Sequence, residues 1–233
     1  LADAIMRGTN PAKAAEAQRA MLDYINHWVA ERRGKPGDDV ISRVVHGRVG
    51  ERPLNDEEIL GLVRLILFGG LDTLTSLMGF IWRFLATHPE EVRALVAQPE
   101  LRRNAVEELI RRHGVVNTAR YVVEDFTFNG APLRQGDMIP IPTALFGLDE
   151  RITPAPLAVD FRRPHVQHVT FGNGPHICPG QYLARREIAA LLDAWLARIP
   201  EFGIAPDTRP LLHAGASNNG ILRLDLAWER PTG

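Results

Sequence analysis

A glycine-rich loop at residues 171–180 contains the only cysteine of the 233-residue chain and runs directly into a predicted helix. Apolar residues recur at helical spacing from Gln181 to Ile199, and Pro200 follows as a stop. Cys178 therefore lies at or just before a helix N-terminus, where the helix dipole and free backbone N–H groups favour a thiolate. Glycines in the loop allow positive φ and close approach of the backbone to a bound group. The loop predicts a cradle for an anionic sulfur.

Three uses of this cysteine are open from the residues alone. Cys178 could ligate a metal, act as a nucleophile, or be a small buried apolar residue, which is common for a lone cysteine. A nucleophile needs a base, and His176 lies two residues away on the same loop without a third group to orient it. A cysteine hydrolase that uses Cys178 and His176 is therefore the weaker chemical alternative.

The longest apolar segment predicts a helix from Asp56 to about Ala86, with Asn55 and Glu58 at capping-box spacing. Such a helix is about 45 Å long at ~1.5 Å per residue, which is enough to cross a domain. Its residues 65–82 resemble a membrane span, but Asp72 at their centre would cost roughly 2.5 to 3.5 kcal/mol there. We therefore expect a buried central helix and no membrane partner.

Within this helix, residues 69–73 read Gly-Gly-Leu-Asp-Thr, although each interior glycine costs about 1 kcal/mol relative to alanine. The glycines leave space on one face, and Asp72 and Thr73 place an acid and a hydroxyl beside that space. The structural alternative is a close helix crossing at the glycines, with Thr73 bonding a carbonyl four residues earlier. Both interpretations remain open from the residues alone.

The rest of the sequence predicts helices first and short strands later. Further helices are expected at Asn10 to Gly34, Asp39 to Val45, His88 to Val96 and Pro99 to Arg112. Strands are expected at Arg120 to Val123, Phe126 to Phe128, Asp137 to Pro142, and in short runs from Phe202 to Trp228. Asn129-Gly130 predicts a hairpin turn. Without an internal repeat or a second core, residues 1–233 are expected to form a single domain portion.

Composition excludes several classes of protein. Lys and Arg total 27 against 28 Asp and Glu, so no basic excess indicates a nucleic acid partner. One cysteine excludes an internal disulfide and is typical of a reducing compartment. Residues 1–11 contain Asp3 and Arg7 and do not predict an export signal. We expect a cytoplasmic protein.

Phe171, Gly174, His176, Cys178 and Gly180 match the signature Phe-x-x-Gly-x-His/Arg-x-Cys-x-Gly, so the chain resembles the cytochrome P450 haem-thiolate family. Residues 69–73 resemble the family's distal-helix motif Ala/Gly-Gly-x-Asp/Glu-Thr. Residues 146–150, 160–161, 183–188 and 199–202 extend the resemblance to soluble bacterial members that hydroxylate camphor and similar terpenoids. The resemblance covers essentially the whole chain, which corresponds to a little over the second half of a typical member.

This resemblance implies a mainly α fold with small β-sheets, the C-terminal part of the cytochrome P450 fold, built on the long helix and the cysteine loop. It implies haem b with Cys178 as the iron ligand, whose electron donation favours O–O cleavage. Phe171 would pack under the macrocycle within the loop shaped by Gly174 and Gly180. His176 and Arg120 would bind haem propionates, although Arg120 could also be a surface arginine at a strand end.

The distal motif implies that Thr73 hydrogen-bonds bound oxygen and that Asp72 relays protons from solvent. Glu108 and Arg111 resemble the family's Glu-x-x-Arg pair, although three-residue spacing also suits an ordinary exposed ion pair. In the family an arginine from the later irregular stretch joins this pair. Arg163 is the expected third member of a structural network, with Arg162 as the alternative.

The resemblance implies a monooxygenase that inserts one atom of O2 into a small apolar substrate, and it favours a terpenoid as that substrate. Two electrons would come from a ferredoxin with its NAD(P)H-dependent reductase. The ferredoxin would dock on Arg103, Arg112, Arg185 and Arg186. Candidates for the substrate pocket are Leu65, Phe68, Gly69, Val116, Asn218 and Asn219. The alternative is a haem-binding fragment without turnover.

Overall fold

The computed structural model describes residue 5, residues 10–215 and residues 217–229. Residues 1–11 were predicted to contain no export signal. Of these, residues 1–4 and 6–9 lie outside the described part. The chain divides into two compact units, residues 1–74 and 75–233, and the boundary falls inside the longest helix. That residues 1–233 form one haem-binding portion stays a prediction.

The first unit begins with helix α1, Pro11–Gly34, whose start follows the capping rules. The Asn10 side-chain oxygen accepts hydrogen bonds from the backbone N–H groups of Ala12 (3.0 Å) and Lys13 (3.2 Å). A short helix α2, Val40–Val45, follows. The strands β1 (Arg48–Val49) and β2 (Arg52–Pro53) then form the small hairpin expected before the long helix.

The long helix α3, Asp56–Thr87, has the predicted capping box. The Glu58 N–H donates to Asn55 Oδ1 at 2.9 Å, and the Asn55 N–H donates to Glu58 Oε2 at 2.8 Å. Met21, Ile25 and Val29 of α1, four residues apart, pack with Ile59 and Val63 of α3 into the core of the first unit.

The expectation that α3 is a buried helix holds for only part of its surface. Of its most apolar 18-residue window, 28% is buried, and Leu65 and Leu71 are 56% and 54% exposed. Burial depends on the neighbours that surround a helix, which its own sequence does not specify. Among the described residues α3 is the one helix whose length and composition would allow a membrane crossing. The absence of a membrane partner stays a prediction.

The second unit contains the C-terminal turns of α3 and most of the remaining helices. They are α4 (Pro89–Ala97), a 3-10 turn (Pro99–Leu101), α5 (Arg102–Arg112), α6 (Ala144–Gly147) and α7 (Gln181–Leu196). Helix α5 packs against α7. The core includes Leu85, Leu95, Leu109, Ile188 and Leu192, each at most 1% exposed. The short α6 was not predicted.

The strands of the second unit form antiparallel pairs. β3 (Asn117–Tyr121) pairs with β6 (Met138–Pro142), β4 (Phe126–Phe128) with β5 (Ala131–Leu133), β7 (Gly203–Ile204) with β10 (Leu226–Ala227), and β8 (Leu211–Ala214) with β9 (Asn219–Arg223). Asn129 and Gly130, with φ of 48° and 83°, make the predicted hairpin turn. The mainly α fold with small β-sheets is therefore confirmed.

The strand predicted at residues 120–123 begins and ends earlier, at Asn117 and Tyr121. Tyr121 pairs with Met138, which is the last matched position of this ladder. The Val122 N–H still donates to the Asp137 carbonyl at 2.9 Å, but the chain turns there. The valines favour a strand, whereas the pairing with β6 decides where the strand lies.

Candidate active site

The cysteine loop is closed by a backbone hydrogen bond across its length. The Cys178 N–H donates to the Phe171 carbonyl oxygen at 2.8 Å. Gly172 and Gly174 have φ of 77° and 69°, in the left-handed region that favours glycine. Gly180 is the cap residue of α7, so Cys178 lies two residues before the cap, in agreement with the predicted position at a helix start. The site is thus a glycine-shaped turn that feeds a helix N-terminus.

The Cys178 thiol is partly exposed and forms no disulfide. Apolar side chains beside it in the sequence are exposed to solvent, with Ile177 at 45%, Tyr182 at 74% and Leu183 at 61%. A Cβ added at Gly180 would lie 3.8 Å from the Cys178 sulfur, at ordinary contact distance. A free thiol with exposed apolar neighbours is suited to bind an apolar group that carries a metal ion, because the thiol can ligate the metal and the apolar side chains can cover the rest.

The two side chains predicted to bind propionates are both exposed to solvent. Arg120 lies in β3 and is exposed, and its guanidinium donates to the neighbouring Ala119 carbonyl at 2.8 Å. In the described part of the chain it forms no ion pair. His176 ends the 3-10 turn Gly174–His176 and is exposed. Both side chains can therefore accept an anionic partner.

Glu108 and Arg111 form a buried ion pair, since both side chains are 0% exposed. Arg111 donates two hydrogen bonds of 2.8 Å to the Glu108 carboxylate. Arg163 donates to the same carboxylate at 3.1 and 3.2 Å, whereas Arg162 bonds Gln98. The structure thus brings Glu108, Arg111 and Arg163 together, and Arg163 is the third member. Its role in fixing the proximal loop stays a prediction.

Burial alone would raise the pKa of Glu108, but hydrogen bonds from Arg111 and the Asp160 N–H outweigh it and lower that pKa. The remaining Arg111 donors go to main-chain carbonyls of the last residue of α6 and of the irregular segment that follows it. They reach Gly147 (2.7 Å), Pro156 (2.8 Å) and Ala158 (3.0 Å). Every charge of the pair is therefore matched inside the protein.

A second ionic cluster was not anticipated from the sequence. Arg185 donates to Glu107 Oε1 at 2.7 Å, and His168 contacts Glu107 Oε2 at 3.2 Å. Burial alone would raise the pKa of Glu107, but these two partners lower it to about 2. The three residues are 61 and 78 positions apart in the chain, so no local pattern could have revealed the cluster.

Asp72 and Thr73 lie on the part of α3 that belongs to the first unit. The Asp72 side chain is buried, at 7% exposure. Within the described part of the chain, a Cβ at Gly69 or Gly70 would meet no atom within 4 Å, which argues against a close crossing of α3 there by a described helix. The open side and the neighbouring acid and hydroxyl agree with the interpretation of a ligand site.

The pocket candidates divide between the units. In the second unit, Val116 and Asn218 form a β-bridge and the Asn219 N–H donates to the Val115 carbonyl at 2.9 Å. The Asn218 amide also contacts the Ser76 hydroxyl at 3.4 Å, a residue that the sequence did not single out. In the first unit, Phe68 packs against the core around Ile25, which is the structural alternative for this residue. Leu65 and Gly69 are exposed.

The sequence that carries the cysteine loop, the buried Glu108 network and the glycine motif falls within the range of one family model. The family model described as cytochrome P450 matches residues 4–211. This chain belongs to the cytochrome P450 family.

Relatives and solved structures agree with the assignment. The "Probable cytochrome P450 127A1" of Sinorhizobium fredii is 37% identical over 94% of this chain and 53% of its own length. The polyketide biosynthesis cytochrome P450 PksS of Bacillus subtilis is 36% identical over 82% of this chain and 48% of its own length. The chain therefore spans about half the length of the curated relatives it matches.

The solved structure of CYP101J2 is 37% identical and has a TM-score of 0.87, covering 98% of this chain and 57% of that protein. The solved PksS structure has a TM-score of 0.91 at 32% identity, covering 98% of this chain and 60% of that one. The architecture is thus that of a large part of the cytochrome P450 fold.

Members of this family bind haem b. The residues present fit that group in their chemistry. Cys178 provides one free thiol at a helix start, the apolar residues beside it are exposed, and Arg120 is a cation without a carboxylate partner in the described residues. The functional assignment of each predicted site residue remains a proposal.

We predict that Glu108→Ala destabilises the fold by about 3–5 kcal/mol, because it leaves the fully buried Arg111 without its counter-charge. Chemical denaturation followed by circular dichroism measures the change. The matched control is Asp193→Ala, which breaks the Arg102–Asp193 pair at a carboxylate that is 59% exposed. That pair is expected to contribute under about 1 kcal/mol. Equal losses in both variants would contradict the prediction.

We predict an acid-sensitive contribution from Glu107. Its pKa is about 2 in the folded chain, against the usual 4.5, so the unfolded state binds more protons between these values. The stabilisation is complete above pH 4.5 and is lost as the pH falls toward 2. Melting temperatures across this range should therefore fall less steeply for Glu107→Gln. An unchanged slope would refute the assignment.

Proposed function

We propose that this chain supplies the haem-thiolate part of a monooxygenase that inserts one atom of O2 into a C–H bond of a small apolar molecule. The observation that carries the proposal is the position of Cys178. It lies in a glycine turn closed by the Phe171 carbonyl, directly before α7, in a chain of the cytochrome P450 family.

Cys178 would hold the haem iron as a thiolate, the form in which cysteine binds metals. When bound, thiolate-ligated haem b supplies the activation of O2, because electron donation from sulfur favours O–O cleavage. Arg120 and His176 would bind the two propionates. Phe171 would pack under the macrocycle, and Gly174 and Gly180 would let the loop backbone approach it.

Thr73 and Asp72 would handle protons. The Thr73 hydroxyl holds a proton beside the open side of Gly69 and Gly70, and the adjacent Asp72 carboxylate can exchange a proton with solvent through water. These two residues would therefore supply the protons that O–O cleavage consumes.

A terpenoid that carries an oxygen is the proposed substrate. Val116, Asn218 and Asn219 form one bridged patch, in which an apolar side chain lies next to amides able to bond a carbonyl or ether oxygen. In the first unit, Leu65, Phe68 and Gly69 stay candidates for contact with the substrate. A polyketide is the second candidate, since relatives include PksS and the mycinamicin IV hydroxylase/epoxidase of Micromonospora griseorubida, which is 34% identical over 91% of this chain.

The proposed electron donor is a ferredoxin served by an NAD(P)H-dependent reductase. Of the four arginines proposed for docking, Arg103 and Arg186 are exposed and form no ion pair or hydrogen bond within the described residues. Arg112 and Arg185 bond the Leu157 carbonyl and Glu107 instead. Docking of an acidic partner is therefore assigned to Arg103 and Arg186.

A haem-binding chain without turnover is the second candidate function, since this chain spans about half the length of its relatives. The cysteine hydrolase is disfavoured, because membership of the cytochrome P450 family supports metal ligation as the role of Cys178. We propose a soluble, cytoplasmic protein with no membrane or nucleic acid partner, as bacterial relatives and balanced charge support.

We predict that the reduced chain with haem b and carbon monoxide shows the red-shifted Soret band of thiolate ligation, and that Cys178→Ser abolishes it. Serine preserves the size of the side chain but supplies no thiolate. The parent chain with the same haem load is the control. Haem uptake without that band in the parent would refute the proposal. Turnover of NAD(P)H with product formation then separates the enzyme from an inert haem protein.

Soret titrations of the same sample with an oxygenated monoterpenoid and with a macrolide compare the two substrate classes. A response to the macrolide alone would replace the terpenoid proposal.

We predict that combining Arg103→Glu with Arg186→Glu slows reduction by ferredoxin about tenfold at low salt, while substrate affinity is unchanged. Exposed charges at a docking face act mainly on the association rate, and salt screens them. The exposed Arg209→Glu is the control for a general change of charge. Equal reduction rates for parent and double variant, at low salt, would exclude this docking face.

A further inference from the structure

Arg185 contacts three segments that meet at the cysteine loop. Its guanidinium donates to Glu107 of α5 at 2.7 Å. The same group lies 4.6 Å from the centroid of the Phe171 ring, where the loop begins. It also contacts the backbone carbonyl and side-chain oxygen of Gln181, both at 3.2 Å, where α7 begins.

The two residues that Arg185 contacts around the loop are also the backbone partners of Cys178. The Cys178 N–H donates to the Phe171 carbonyl at 2.8 Å, and the Cys178 carbonyl accepts from the Gln181 N–H at 3.3 Å. Both main-chain groups of the cysteine are therefore anchored on residues that a single guanidinium touches. Neighbouring Arg186 is exposed and takes no part in these contacts.

The Glu107 and His168 side chains hold this guanidinium in place. Glu107 bonds Arg185 with one carboxylate oxygen and His168 with the other. The His168 ring lies 6.0 Å from the Phe171 ring, so the Phe171 ring contacts both Arg185 and His168. Thr170, next to Phe171, bonds the Ile110 carbonyl of α5 at 3.2 Å. The start of the loop is thus fixed to α5 through side chains.

We propose that Arg185 is a positioning residue for the Cys178 thiolate, holding the two ends of the cysteine loop on α5 through Glu107. Arginine suits this role, because its planar fork can stack on a ring and donate several hydrogen bonds at once, which lysine cannot. The proposal rests on the proposed role of Cys178 as the iron ligand. It assigns the Arg185 guanidinium to contacts within the chain rather than to partner docking.

Amide hydrogen exchange in the full chain, with and without haem b, tests the proposal. For Arg185→Gln we expect the Cys178 amide to exchange about tenfold faster, equivalent to about 1.4 kcal/mol. The amides of Ile188 and Leu192, in the buried part of α7, should keep their parental rates. Arg186→Gln, the same substitution one residue later, should change none of these rates.

Alkylation of Cys178, the only thiol in the chain, gives an independent readout. Its rate should rise in Arg185→Gln and rise less in Arg185→Lys, which keeps the charge but not the planar fork. In the haem-loaded chain, the reduction potential should shift in Arg185→Gln and not in Arg186→Gln, because only the former disturbs the sulfur.

Glu107→Gln is the second variant, since it weakens the hold on Arg185 without altering the guanidinium. If Arg185→Gln unfolds the whole chain, exchange of the Cys178 amide in Glu107→Gln decides. Cys178 exchange rates equal to those of Arg186→Gln in every variant that remains folded would overturn the positioning role. Faster exchange in a chain that takes up haem without the thiolate Soret band would support positioning while refuting the proposed iron ligation.

Discussion

The buried pair of Glu108 and Arg111 is the interaction on which the second unit depends. Residues 148–173 form no regular helix or strand, so their backbone groups need partners from elsewhere. Arg111 donates to the carbonyls of Pro156 and Ala158 in this segment and of Gly147 just before it, and Glu108 accepts a hydrogen bond from the Asp160 N–H. Removing both charges from water is costly, and the cost is offset here because every donor and acceptor meets a fixed partner. An irregular segment is thereby held in one conformation.

Helix α5 carries this pair and also holds the start of the cysteine loop. Glu107 lies next to Glu108 and binds His168 and Arg185. Two adjacent glutamates on one helix therefore have different tasks, since one secures the irregular segment and the other secures the two ends of the loop. A metal ligand on a turn needs such support, because supporting hydrogen bonds orient the donor atom. In the proposed arrangement, the position of Cys178 thus depends on a helix some 70 residues earlier in the chain.

Local signals in the sequence predicted much of the fold. The Asn55–Glu58 capping box marks the start of the long helix, and the His88-Pro89 dipeptide marks its end. Both signals act within four residues, so the limits of the helix were predicted closely. The Asn129-Gly130 turn was predicted because those residues tolerate positive φ. The strand at 117–121 was misplaced, and the exposed side of α3 was not foreseen, because both depend on distant neighbours.

By itself, the sequence determined the family, the cysteine turn before a helix and the acid–hydroxyl pair after two glycines, because each is a short pattern with few alternatives. Only the tertiary structure decided that Arg163 rather than Arg162 joins the buried glutamate, that Arg185 bonds Glu107, and that Ser76 contacts Asn218. In each case several side chains of similar chemistry could have made the contact. Such a choice follows from packing in three dimensions, which spacing along the chain does not specify.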